Sequence, residues 1–192
     1  MRQNLIPSIP SAGGQAANTT LLPDLQRLTR RIVIGLGNPI LGDDGFGWIV
    51  AEQLRHNTSL REFSVDIECF SLGGLSLMEQ LVGYDDAILI DAIHLGQSPV
   101  GTLHAIPLAD IPDSMAGHLS STHDTTLKTA IQMGRSLGAH LPEHITIVGV
   151  ETSNSFDFSE ELSEPVGAAV PAAVHMVMRL LEKPEIMTTQ GE

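Results

Sequence analysis

Cysteine is almost absent from this 192-residue chain. Cys69 stands alone, so no internal disulfide can form and a reducing cytoplasm is the expected setting. Basic residues are also scarce. Ten Lys and Arg face 23 Asp and Glu, a formal net charge of −13, which is the wrong sign for nucleic-acid phosphates and for an anionic membrane surface. Long apolar runs are missing. Residues 1–20 carry only Leu5, Ile6 and Ile9, broken by Pro7 and Pro10, so no signal-peptide core is expected, and no segment reaches the length of a membrane span. Several catalytic signatures are lacking too. There is no G-x-S-x-G elbow and no Walker A loop. Gly35-x-Gly37 has no third glycine at the dinucleotide spacing, and the two aspartates after it would repel a pyrophosphate. His140 and His144 have Pro142 between them, so no helix aligns them as in H-E-x-x-H. These exclusions leave a well-packed soluble chain, 42% hydrophobic with a mean hydropathy of +0.12, whose length suits one α/β domain.

The stretch that organises the rest is Arg31–Gly47, RIVIGLGNPILGDDGFG. A β-branched run (Ile32, Val33, Ile34) enters a turn with glycines at 35, 37 and 42. The chain then presents Asp43 and Asp44 and begins a helical period with Phe46, Ile49, Val50 and Leu54 on one face. Strand, glycine turn, paired carboxylates and helix put an acid at the edge of a sheet. In open α/β sheets that is where ligands bind.

The remaining chain alternates strands and helices. Ser64–Phe70 alternates Val65, Ile67 and Cys69 with Asp66 and Glu68, the pattern of a strand near a sheet's edge. Leu72-Gly73-Gly74 leads into a helix with Leu75, Met78, Leu81 and Val82 expected inward. Asp86–Ile90 is apolar without alternation, a strand buried on both faces, ending in Asp91. Gly101–Pro107 reads as a closely connected strand, which fits an antiparallel neighbour. A polar loop over 108–121 follows. Ser121-Thr122-His123-Asp124 resembles a capping box for a helix burying Leu127, Ala130, Ile131 and Leu137 and ended by Gly138. His144–Val150 is a last strand, Asn154–Glu164 is acidic and irregular, and Val166–Leu181 is a closing helix. The order implies a three-layer α/β sandwich with a largely parallel sheet of about five strands and helices on both faces. The expected organisation is a disordered tail over 1–30, a single domain over 31–183 and a flexible end over 184–192.

Three side chains fall where such a fold presents function: Asp44 after the first strand, Asp91 at the end of the buried strand, and His123 in a helix's first turn. Two carboxylates and an imidazole suit Ni²⁺, Zn²⁺ or a similar first-row ion, and a helix N-terminus favours the neutral imidazole that can ligate. Each has a plainer reading. Asp43 and Asp44 can cap a helix, Asp91 can end a strand by accepting backbone N–H groups, and His123 can be a surface residue. The other candidates are weaker. Cys69 reads as an inert, buried thiol. His94, His104 and His118 stand at no metal-site spacing, although His118 shares the neighbourhood of His123. Glu151 could reach the site but reads first as a solvated strand end.

GLGNPILGDDGFG, then SLGGLSLMEQLVGYDDAILIDA, then STHDTTLKTAI, then ITIVGVE together resemble the hydrogenase maturation proteases, over Arg31 to Leu181. The resemblance implies an endopeptidase that trims the C-terminal extension of the [NiFe]-hydrogenase large subunit after nickel insertion. It implies three metal-contacting residues, here Asp44, Asp91 and His123, with Asp44 where many relatives have Glu. It also implies that the nickel arrives with the substrate, so that none is tightly held by the resting protein, and that the partner is a nickel-loaded precursor. GLGNP also opens the peptidyl-tRNA hydrolases, but the His-Asn pair and basic face of that family are missing. A nickel-site chaperone that does not cut would keep the same three residues.

Overall fold

A computed structural model describes residues 29–58, 60, 63–111, 126–153 and 157–182. The expected N-terminal tail up to 28, the C-terminal residues from 183, His118, His123 and the Ser121–Asp124 segment lie outside them. In chain order the elements are β1 (Arg31–Leu36), α1 (Phe46–Arg55), β2 (Val65–Phe70), α2 (Gly74–Gln80), β3 (Asp86–Ile93), β4 (Leu103–Pro107), α3 (Leu127–Ser136), β5 (His144–Glu151) and α4 (Glu164–Glu182). A 3-10 turn over Gly42–Gly45 joins β1 to α1. No helix among the described residues is long and apolar enough to cross a membrane.

The five strands form one sheet in the order β2-β1-β3-β5-β4. All neighbours run parallel except β4, which pairs antiparallel with β5 at the edge. Alternation of side chains along the central strands sends two sets of apolar residues to opposite faces. Ile32, Ile34, Leu89, Ile93, Ile145 and Ile147 pack with Leu77 of α2, Leu81 at its C-terminal end, and Leu127 and Ile131 of α3. Val33, Ile88, Ile90, Val148 and Val150 pack with Val50 and Leu54 of α1 and Val170 and Val177 of α4. Each of these buried side chains contributes about 2 kcal/mol, so the two cores together fix the three layers. The architecture is the three-layer α/β sandwich expected from the element order.

Four details depart from the sequence expectations. Around α2, Leu81 is buried and Met78 packs partly buried on the core as expected, but Leu75 and Val82 are exposed and Leu77 is buried in their stead, because the helix begins at Gly74 and its Leu77–Leu81 row, four residues apart, faces the sheet. Leu137 is 81% exposed, since α3 ends at Ser136 and Gly138 turns the chain with φ +85°. α3 starts at Leu127, not at Ser121. Its N-cap is Thr126, whose hydroxyl accepts the Thr129 N–H at 3.3 Å. Finally, Asp91 is not the last residue of its strand: the ladder with β5 continues through Ala92↔Val150 and Ile93↔Glu151.

Candidate active site at the ends of β1 and β3

The chain leaves β1 toward β2 and leaves β3 toward β4, which lies beyond β5, in opposite directions across the sheet. The crevice between the carboxyl ends of β1 and β3 is therefore the topological switch point. Two glycines let the turn settle onto it. Gly37 has φ +126°, and a Cβ there would sit 1.8 Å from the Asp44 carbonyl oxygen. Gly47 opens α1 against the strand ends, where a Cβ would meet the Ile90 and Leu36 carbonyl oxygens at 2.2 and 2.4 Å. A side chain at Gly37 would push the 42–45 turn away from the end of β1, and one at Gly47 would push the start of α1 away from β1 and β3.

The turn is held from several sides. Gly37 N–H donates to the Phe70 carbonyl at 3.2 Å and the Ser71 hydroxyl to the Gly37 carbonyl at 2.6 Å, which ties it to the end of β2. Asp44 is 6% exposed, and its Oδ2 accepts the Asn38 N–H at 2.7 Å. Asp91 is fully buried on β3, in register with Gly149 and on the face that packs against α2 and α3. The Gly42–Gly45 turn lies against β3. The two acids singled out in the sequence thus share one end of the sheet. His123, the third member of the expected set, lies outside the described residues, and among these no three His, Cys, Asp or Glu side chains form a metal cluster.

Asp43, although adjacent, faces elsewhere. Its Oδ1 accepts the Ser163 N–H at 2.7 Å and its Oδ2 the Ser163 hydroxyl at 2.8 Å. His140 and His144 pair with Asp85 and Asp86 at 2.7 and 3.0 Å. That is the opposite end of the sheet, roughly 16 Å along β3 from Asp91 at 3.3 Å per residue. Burial pushes the Cys69 thiol up to about 11; Arg55 opposes the shift and Glu52 adds to it. The thiol is protonated at neutral pH and is no nucleophile.

Glu151 overturns the solvated-strand-end expectation, being only 1% exposed. Its Oε1 accepts the Leu95 and Gly96 N–H groups at 2.9 and 2.8 Å, shaping the turn that follows β3. His94 and His104 stand on either side, Nδ1 and Nε2 each 3.6 Å from a carboxylate oxygen. The sequence signal was an acid closing an apolar strand beside a glycine turn, and it identifies no partner. Glu151→Ala takes the acceptor from the Leu95 and Gly96 N–H groups of a partly exposed turn and empties the buried space of its side chain, and should lower unfolding free energy by about 2 kcal/mol. Glu151→Gln keeps an Oε1 acceptor and should cost less than half of that. Urea denaturation of both variants measures the difference.

The family model for hydrogenase maturation proteases matches residues 49–180. The chain belongs to that family. The matched residues begin just beyond the Asp44 turn and include Asp91 and His123. Among relatives of this maturation protease, the hydrogenase expression/formation protein HupD of Rhizobium leguminosarum bv. viciae is 29% identical over 152 residues, 79% of this chain and 74% of that one. The hydrogenase 2 maturation protease of Escherichia coli is 26% identical, covering 80% and 92%. The crystal structure of the [NiFe] hydrogenase maturation protease HycI from Thermococcus kodakarensis superposes with a TM-score of 0.58 at 25% identity, over 81% of this chain and 94% of that one. The protein is thus a peptide hydrolase, and the peptidyl-tRNA hydrolase reading of GLGNP is set aside.

Proposed function

We propose that this protease removes the C-terminal extension of a [NiFe]-hydrogenase large subunit after nickel insertion, and that Asp44, Asp91 and His123 meet the substrate's nickel. The observation that carries the reading is the pair of buried acids at one switch point. Carboxylates that fold at this cost to solvation are retained where a cation is to be met. The donor set fits, since two carboxylates and an imidazole are ligands that a borderline ion accepts. Contact with the metal would both recognise the loaded subunit and hold the scissile bond close, so that proximity and specificity come from one interaction. A carboxylate in this site could also serve as the base for an attacking water. The same reading has the protease work in the cytoplasm, where Cys69 stays reduced.

Incubating nickel-loaded precursor with the protein and weighing the products by mass spectrometry tests the cleavage. Loss of a C-terminal peptide is expected. An intact precursor, bound but uncut, would favour the non-cleaving chaperone. The resting protein should carry far less than one nickel per chain after gentle purification, because the ion belongs to the substrate. Elemental analysis finding near-stoichiometric nickel would count against this.

A further inference from the structure

Two segments 120 residues apart are fastened together beside the candidate site. Both oxygens of Asp43 accept from Ser163, the N–H at 2.7 Å and the hydroxyl at 2.8 Å. Next to this contact, Gly42 N–H donates to the Ser159 carbonyl at 2.7 Å and Ser159 N–H to the Ile40 carbonyl at 3.1 Å, making a one-residue parallel bridge between Leu41 and Ser159. Ser163 immediately precedes α4, and its carbonyl accepts the first helical bond, from Gly167 N–H at 2.8 Å. α4 is anchored in the core through Val166, Val170, Ala173 and Val177.

In a 3-10 turn successive side chains point about 120° apart, so the rotation at which Gly42–Gly45 is held decides which of Asp43 and Asp44 faces the site. Gly42, at φ +55°, gives the turn a left-handed entry that a residue with a Cβ would oppose. We propose that Asp43 and Ser163 form a latch that sets the rotation of the turn, so that Asp43 is a positioning residue for the reaction and Asp44 is the acid presented to the substrate. This rests on the role given to Asp44 above. Held by Asn38 on one side and by Ser163 on the other, the turn transmits the rigidity of α4 to the Asp44 carboxylate. The plainer role, a remote carboxylate capping α4, would stabilise the fold without affecting cleavage.

The two roles separate in an assay of full-length variants on nickel-loaded precursor, run well below the melting temperature. Asp43→Ala should cut the cleavage rate by about 10–100-fold, the usual cost of losing a group that orients a ligand. Asp43→Asn keeps an acceptor for the Ser163 N–H and should recover most of that rate. The double variant Asp43→Ala/Ser163→Ala should be no slower than Asp43→Ala alone, since both changes open the same latch. A pure cap instead predicts a lowered melting temperature with cleavage unchanged. Asp43→Ala cleaving like the wild type while Asp44→Asn is inactive overturns the latch and leaves the Asp44 assignment standing. An active Asp44→Asn overturns both. If Asp43→Ala does not fold, Asp43→Ser decides, because its oxygen stops one bond short of both Ser163 donors: slowed cleavage supports the latch, and an unchanged rate overturns it.

Discussion

Asp91→Asn is expected to abolish precursor processing while the protein stays folded. Losing a charged contact to a metal removes several kcal/mol of stabilisation, and about 4 kcal/mol corresponds to roughly a thousandfold in rate. The fold pays a different way. Asp91 is fully buried on the central strand, and keeping a carboxylate there opposes burial. Asparagine has nearly the same shape and keeps an oxygen acceptor, so it fits among the same neighbours. A residue whose removal costs activity but not stability is the mark of a site maintained for function. Cleavage assays and thermal melts on the same preparation measure both effects. An Asp91→Asn protein that processes precursor normally would remove Asp91 from the site, and one that unfolds would make it a structural acid.

His123→Ala should have an effect of the same order, with the fold left intact. Of the three expected metal contacts it is the only nitrogen donor, and no other imidazole among the described residues offers a replacement. His140 and His144 are engaged at the far end of the sheet. His94 and His104 flank Glu151, where Nδ1 of His94 is held at 2.8 Å from the Thr152 carbonyl. His118→Ala should be far milder. Both variants are to be assayed for cleavage and for melting. An active His123→Ala protein would sink the assignment, and an inactive His118→Ala protein would mean that the ligand is the earlier histidine.

Much of the fold was legible in the residue order. The unalternating apolar run after Asp86 marks a strand covered on both faces, and β3 is the central strand it implies. Val65, Ile67 and Cys69 against Asp66 and Glu68 mark an edge strand, and β2 has one neighbour. Errors arose where the local pattern was short. The seven residues of α2 hold too few turns to fix the inward face in full: Leu81 is buried as expected, but Leu77 is buried where Leu75 and Val82 were expected. The start of α3 was misplaced because Ser121 and Thr126 both offer a capping hydroxyl, and local chemistry does not choose between them.

By itself the sequence determined the class of the sheet, the glycine turn after the first strand and the presence of acids at its edge, because these follow from side-chain periodicity and backbone sterics within a few residues. Only the tertiary structure decided what each acid does. Asp43 and Asp44 are identical neighbours in the chain, yet one accepts from Ser163, 120 residues away, and the other from Asn38, six residues away. Glu151 ends a strand as a solvated residue could, yet it is buried against N–H groups 55 and 56 residues earlier. A carboxylate's role is set by the donors that reach it, and those donors arrive from segments that only the packing of α4 and the pairing of β3 with β5 bring together.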